Sequence, residues 1–196
     1  VTVFEKQKAL GGMLTLGIPA FRLEKNVVNA RIEVLKELGV EFKTGIEVGK
    51  DITLDALRKD GYEAFYLAVG AQGGRGIGIE GEDAQGVLAG VDFVRRINLG
   101  EEVVLEGDTI VIGGGNVAID VARNAVRTGT GSVSMYCLES RKEMPALEEE
   151  IEEALERARV RYIDPDLGIS NNDQPQLFLY PNPASESLHY FITEDI

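Results

Sequence analysis

The chain has 196 residues, 44% of them apolar, and a formal charge of −13. That length carries one sizeable core or two modest ones, and an acidic chain without a Lys/Arg cluster argues against a nucleic-acid partner. One cysteine and one histidine exclude an internal disulfide and a Cys/His metal cage, and no apolar run reaches membrane-spanning length, so a cytoplasmic chain with no membrane partner is expected.

In chain order, "VTVFEK" alternates and ends on an acid, Glu5, as a short strand does. Gly11-Gly12, Gly17 and Pro19 then predict no regular element before about Leu23. Glu24 to Leu38 places Val28, Ile32, Leu35 and Leu38 on one helical face, with Gly39 set to end it. "VEFKTG" and "YEAFYLAVGAQ" read as two further strands, separated by a short helix that Thr53 caps. Gly73 to Gly90 reads as a connection, "VDFVRRINLG" as a helix, and "EEVVLEGD" as the lead into the next strand. Alternation of strand and helix is the rhythm of a parallel α/β sheet.

The second half opens on "DTIVIGGGNVAIDVARNAVRTG", residues 108–129. A buried-strand run, a glycine turn and a helix of period 3.6 follow one another there. "SVSMYCLE" reads as the next strand. An acidic helix is expected from Pro145 to Arg159, burying Leu147, Ile151, Ala154, Leu155 and Ala158. From Pro165 the composition turns to Pro, Asn, Ser and Asp, and His189 falls in an irregular tail where a surface role is expected.

Gly113, Gly115 and Ala118 stand in the order G-x-G-x-x-A. In a dinucleotide-binding βαβ unit the first glycine makes the tight turn, the second admits the pyrophosphate, and the third small residue lets helix pack on strand. The backbone N–H groups of Gly115 to Val117 would face the phosphates at the positive end of the helix. Glu139 closes the next strand about 20 residues on, where a carboxylate accepts from a ribose 2′-OH and repels a 2′-phosphate, so NAD is favoured over NADP. Arg141 tempers that preference, because a guanidinium two residues on could pair with a phosphate. Asp120 reads as a solvated helix residue and Cys137 as a small apolar strand residue.

Taken together, "VTVFEKQKALGGMLTLGIPAFRL", "VVNARIEVLKELGVEF", "YLAVGAQ", "VIGGGNVAIDVAR" and "SRKEMPALEEEIEEA" resemble the glutamate synthase small-subunit family, which includes the flavin segment of dihydropyrimidine dehydrogenase. The likeness runs from Val1 to about Val160. It implies a Rossmann-like three-layer α/β architecture: a partial FAD-binding domain at 1–100, the first part of an inserted NAD(P)-binding βαβ unit at 101–164, and an irregular or short-strand tail at 165–196 outside the resemblance. It also implies that Glu5 holds the FAD ribose, that Gly12 and Met13 lie beside that cofactor, and that Arg22, Val48, Ala68 and Gly70 make further FAD contacts. In the second domain Gly113, Gly114, Gly115, Asn116 and Val117 match the pyrophosphate loop. Leu138 and Glu139 stand where NADP-using relatives carry basic residues. The strand, glycine turn and helix that precede "VTVFEK" in the family are not in this sequence, so FAD is expected to bind weakly or not at all. The tail segment 177–191 resembles the opening of a C-terminal sorting domain of secreted Bacteroidetes proteins, with chance as the competing reading.

The resemblance implies an oxidoreductase in which NADH gives hydride to FAD and electrons pass to an iron–sulfur or glutamate-synthase-type subunit. No catalytic acid or base and no metal ligand is expected, because hydride transfer needs alignment. Two alternatives stay open: a catalytically incompetent nucleotide-binding module, and an interaction fragment using the acidic helix.

Overall fold

Every strand pairing in the computed structural model is parallel among the described residues, which are 1–74, 76–163 and 189–192. The chain divides into two compact units, 1–72 and 73–196.

In the first unit, β1 (Thr2–Glu5) and β2 (Glu41–Thr44) pair with Thr2 opposite Glu41 and Glu5 opposite Thr44. Between them runs α2 (Lys25–Glu37), which buries Val28 and Ile32, one turn apart on one face. Leu35 and Leu38 of the expected stripe stay exposed. Gly39 ends the helix in the left-handed conformation, at φ 88°. Thr53 caps α3 (Leu54–Lys59), its Oγ1 accepting from Ala56 N at 3.1 Å.

Two expectations fail in this unit. A short helix, α1 (Gly12–Leu16), forms where the glycines predicted nothing regular. Gly11, at φ 105°, starts it, Leu16 anchors it in the core, and the Lys25 ammonium donates to the carbonyls of Leu14 (3.0 Å) and Ile18. These contacts hold a turn too short to stand alone. Conversely, "YEAFYLAVGAQ" forms no strand. Tyr66, Leu67 and Val69 are 93, 71 and 79% exposed. The β-forming residues are there, but no described strand offers them a ladder of backbone partners.

The second unit holds a five-stranded sheet in the order β3-β7-β4-β5-β6. Its strands are β3 (Val87–Ala89), β4 (Thr109–Ile112), β5 (Val133–Tyr136), β6 (Arg161–Ile163) and β7 (His189–Ile192). β3 forms in the stretch expected to be a connection, and β7 is a four-residue strand within the tail expected to be irregular or short-stranded. The remaining likeness at 177–188 lies outside the described residues. Helix α4 (Gly90–Asn98) follows β3, and α5 (Asn116–Arg127) crosses from β4 to β5. From β5 the chain passes through α6 (Glu148–Glu152) and a π-helix (Glu153–Arg157) to β6. The core lies where α4, α5 and α6 meet the sheet: Phe93, Val94, Val111, Ile119, Val121, Met135 and Ile151 are buried there. Truncating one of these large side chains to alanine costs about 2–5 kcal/mol.

The strand order matters most for function. From β4 the chain advances in one direction to β5 and β6, while β7 takes the other side of β4. β4 is therefore a topological switch point, and it is beyond the carboxyl end of such a strand that open α/β sheets bind their ligands.

Candidate dinucleotide site

At that end stands the glycine turn. Gly113 prolongs the ladder by donating its N–H to Tyr136 O at 2.8 Å, and then turns with φ 132°, a conformation that side-chain-bearing residues rarely adopt. Gly114 is buried; a Cβ there would meet Cys137 Cβ at 3.1 Å, Cys137 Sγ at 3.2 Å and Glu139 Oε2 at 3.3 Å. A side chain at this position would be tight against the segment that follows β5, which would have to give by a few tenths of an ångström. Gly115 is the N-cap of α5, with no side-chain capping bond. The first amides of a twelve-residue helix thus open beyond β4, with Asn116 and Val117 as its first two residues and Ala118 fully buried behind them.

The acid and the cation that follow β5 are brought to the same place. The Glu139 carboxylate lies against Gly114, and its main-chain carbonyl is fixed by Tyr162 Oη (2.8 Å) and Cys137 Sγ (3.3 Å). Cys137 is half-buried and lies one residue beyond β5 rather than within the strand as expected, with its side chain close to Gly114. Arg141 donates from Nη1 and Nη2 to the two oxygens of Glu148, at 3.2 and 2.9 Å.

The segment after Glu139 then returns to the turn. Ala146 N donates to Gly114 O at 3.3 Å, and Leu147 N to Asn116 Oδ1 at 3.1 Å. These bonds keep residues 146–147 extended, which is why the acidic helix begins at Glu148 rather than at Pro145. Behind them Arg123, with 9% of its side chain exposed, pairs with Glu150 at 2.7 Å and with Glu153. Asp120 is buried on the same helix, 9% exposed, against the expectation of a solvated residue. Asn116, Asp120, Arg123 and Arg127 recur at intervals of four, three and four residues, a polar stripe along α5. Burial, and then the charge of Arg123, hold the Arg127 guanidinium below its ordinary value, with Glu153 and Asp120 opposing the shift. The contribution of this stripe went unread in the sequence, though its spacing and the Glu150/Glu153 pair carry the signal.

The residues assigned to FAD are distributed over the first unit. Glu5 ends β1 and accepts from Gln7 N at 2.8 Å. Gly12, at φ 51°, and Met13 open α1. Arg22 follows a turn closed by its own N–H on Pro19 O, and Val48 forms an isolated bridge with Ile52. Ala68 and Gly70 lie exposed in the segment that forms no strand. Thr15 Oγ1 and Gln72 Oε1 are buried with no hydrogen-bond partner among the described residues. No strand, glycine turn and long helix follow one another in this unit among the described residues. Its residues, taken alone, do not form a pyrophosphate cradle for FAD. The second unit does fit a dinucleotide: a turn whose first residue takes a glycine conformation and whose second has little room for a side chain, uncapped helix amides and a carboxylate beside them.

A parallel sheet with its glycine turn at the switch point defines an α/β protein of the Rossmann-like class. No family model matches the chain. It is 42% identical over 157 residues to "NADP(+)-dependent formate dehydrogenase subunit beta" of Moorella thermoacetica, covering 79% of this chain and 22% of that protein. It is 39% identical over 165 residues to "Glutamate synthase [NADPH] small chain" of Escherichia coli, covering 79% of this chain and 35% of that one. In three dimensions it is similar to FprA, a Mycobacterium tuberculosis oxidoreductase solved with a covalently modified NADP+, at a TM-score of 0.62 and 24% identity over 78% of this chain and 39% of FprA. Glutamate synthase small chains and related NADPH oxidoreductase subunits are thus homologues of this chain, which spans about a fifth to a third of the two sequence relatives. The preference for NAD drawn from Glu139 finds no support in these relatives, whose names carry NADP(+) and NADPH.

Proposed function

We propose that the second unit binds a nicotinamide dinucleotide at Gly113–Val117, as the hydride-donor module of a flavin-dependent NADPH oxidoreductase. The observation that carries this reading is the placement of the glycine turn and uncapped α5 at the carboxyl end of β4, the switch strand. Gly114 and Gly115 admit the pyrophosphate, and the amides at the start of α5 hold its charge. Glu139 receives the ribose, and Arg141 is the cation at hand for a 2′-phosphate. When bound, the nicotinamide supplies a hydride that a flavin accepts and passes on as single electrons. The chain's own residues align and exclude water rather than move protons.

The electron acceptor proposed is an iron–sulfur or glutamate-synthase-type subunit, consistent with relatives named as a small chain and a subunit beta. A second reading, a nucleotide-binding module without electron transfer, is favoured by one observation: the first unit forms no FAD cradle by itself. Calorimetric titration of the purified chain with NADPH and NADH, with added FAD followed by its absorbance, separates the two. Nucleotide binding with bound flavin supports the oxidoreductase module, and nucleotide binding without flavin supports the second reading. No binding of either dinucleotide overturns both. On this reading Glu139→Ala weakens NADH by about tenfold, the loss of a hydrogen bond to a charged group, and does not weaken NADPH.

A further inference from the structure

We infer that Glu148 sets how strongly this site accepts a 2′-phosphorylated dinucleotide, by occupying the guanidinium of Arg141. The inference rests on the reading of the glycine turn as the dinucleotide site. Ser140 and Glu143 close a tight turn: Glu143 N donates to Ser140 O at 2.9 Å, and Ser140 Oγ to Glu143 Oε2 at 2.7 Å. Arg141 and Lys142 are left at its two central positions. The turn follows directly on Glu139, whose carboxylate lies against Gly114, so it stands at the ribose side of the site.

Arg141 meets Glu148 through two N–H groups on two separate oxygens. This is the fork geometry with which a guanidinium takes a carboxylate or a phosphate, and one edge cannot serve both. Glu148 is also held in register with the site. It is the first residue of α6, directly after Leu147 and Ala146, whose N–H groups are fixed on Asn116 and Gly114. The carboxylate that competes for Arg141 is therefore anchored to the same turn that would hold the pyrophosphate.

The competition is balanced closely enough to be tuned. The Glu148 side chain is 66% exposed, and an ion pair so open to water is weak. A 2′-phosphate, with nearly two charges, can displace it. It does so against the negative charges of both Glu148 and Glu139. A ribose with a free 2′-OH makes no demand on Arg141, so its binding is indifferent to the pair.

Calorimetric titration with NADPH and with NADH tests this on the full chain and on Glu148→Gln, Arg141→Gln and the double variant. Glu148→Gln keeps the shape and polarity of an exposed side chain, and an unchanged melting temperature verifies the fold. The expected result is NADPH tightened about two- to fivefold by Glu148→Gln, the range of an exposed pair, with NADH unchanged. Arg141→Gln weakens NADPH, and adding Glu148→Gln to it then has no effect beyond that of removing a distant charge. An NADPH-to-NADH ratio unmoved by Glu148→Gln while both ligands bind overturns this inference and leaves the proposed function standing. So does a full gain that persists without Arg141. Failure of the parent chain to bind either dinucleotide overturns the proposed function, and the inference with it.

Discussion

Single residues in this chain report where backbone geometry leaves no choice. Gly113 sits at φ 132°, so Gly113→Ala forces a side chain into a rarely populated conformation and is expected to cost about 1–3 kcal/mol in denaturant unfolding. Thr53 acts in the other unit by an independent mechanism. Thr53→Ala removes the acceptor of Ala56 N and should lower stability by about 1 kcal/mol. Lys25 supplies a pH dependence with a definite sign. Burial lowers its pKa below 10.5 in the folded chain, so over that interval the unfolded chain binds the proton and the folded chain does not. Stability from this residue therefore rises as pH climbs from the folded value toward 10.5. Lys25→Met should flatten the rise in melting temperature over the alkaline range; an identical slope in the variant would contradict the assignment. Gly113, Gly115 and Glu139 were legible in the sequence because the turn needs those residue types at that spacing. Asp120 departs from a solvated reading because its setting shows only when the helical stripe is taken whole: its charge acts on Arg127, while Arg123 pairs with Glu150 and Glu153.

Among the elements, α5 is the one on which the site depends. Its apolar face enters the core through Ile119, Val121 and Ala125, while Asn116 and Arg123 fasten the acidic helix. Arg123→Ala removes the guanidinium that bridges Glu150 and Glu153 and leaves two part-buried carboxylates side by side, and a loss of about 1–3 kcal/mol is expected in chemical denaturation. Glu150→Gln combined with Glu153→Gln should recover part of that loss in the Arg123→Ala background, because no uncompensated charge then remains. A chain no more stable than Arg123→Ala alone would contradict the pairing as the cause. The strands and helices legible in the sequence were those whose pattern is local: β1, β2, β4, β5, α2 and α5 all carry their apolar period within themselves. β3 and β6 were not legible, since three residues become a strand only beside a partner brought from far along the chain. The same dependence accounts for "YEAFYLAVGAQ", a strand by composition that forms none because no described strand offers it a ladder.

For the whole molecule, the two units differ in how far their residues account for a binding site. In the second, sheet order, glycine turn, helix amides and carboxylate converge on one place. In the first, the residues matched to FAD are spread over β1, α1, a turn and an unpaired segment, and flavin binding by this chain alone is expected to be weak. Whether the turn after β4 binds a dinucleotide is decided by backbone amide NMR. Addition of NADPH or NADH to the isotope-labelled chain should produce saturable shifts at Gly114 to Ala118 and at Glu139 to Arg141, with the Arg141 region responding more strongly to NADPH. Amides of Gly114 to Ala118 that remain unmoved at saturating concentrations of both dinucleotides would contradict it.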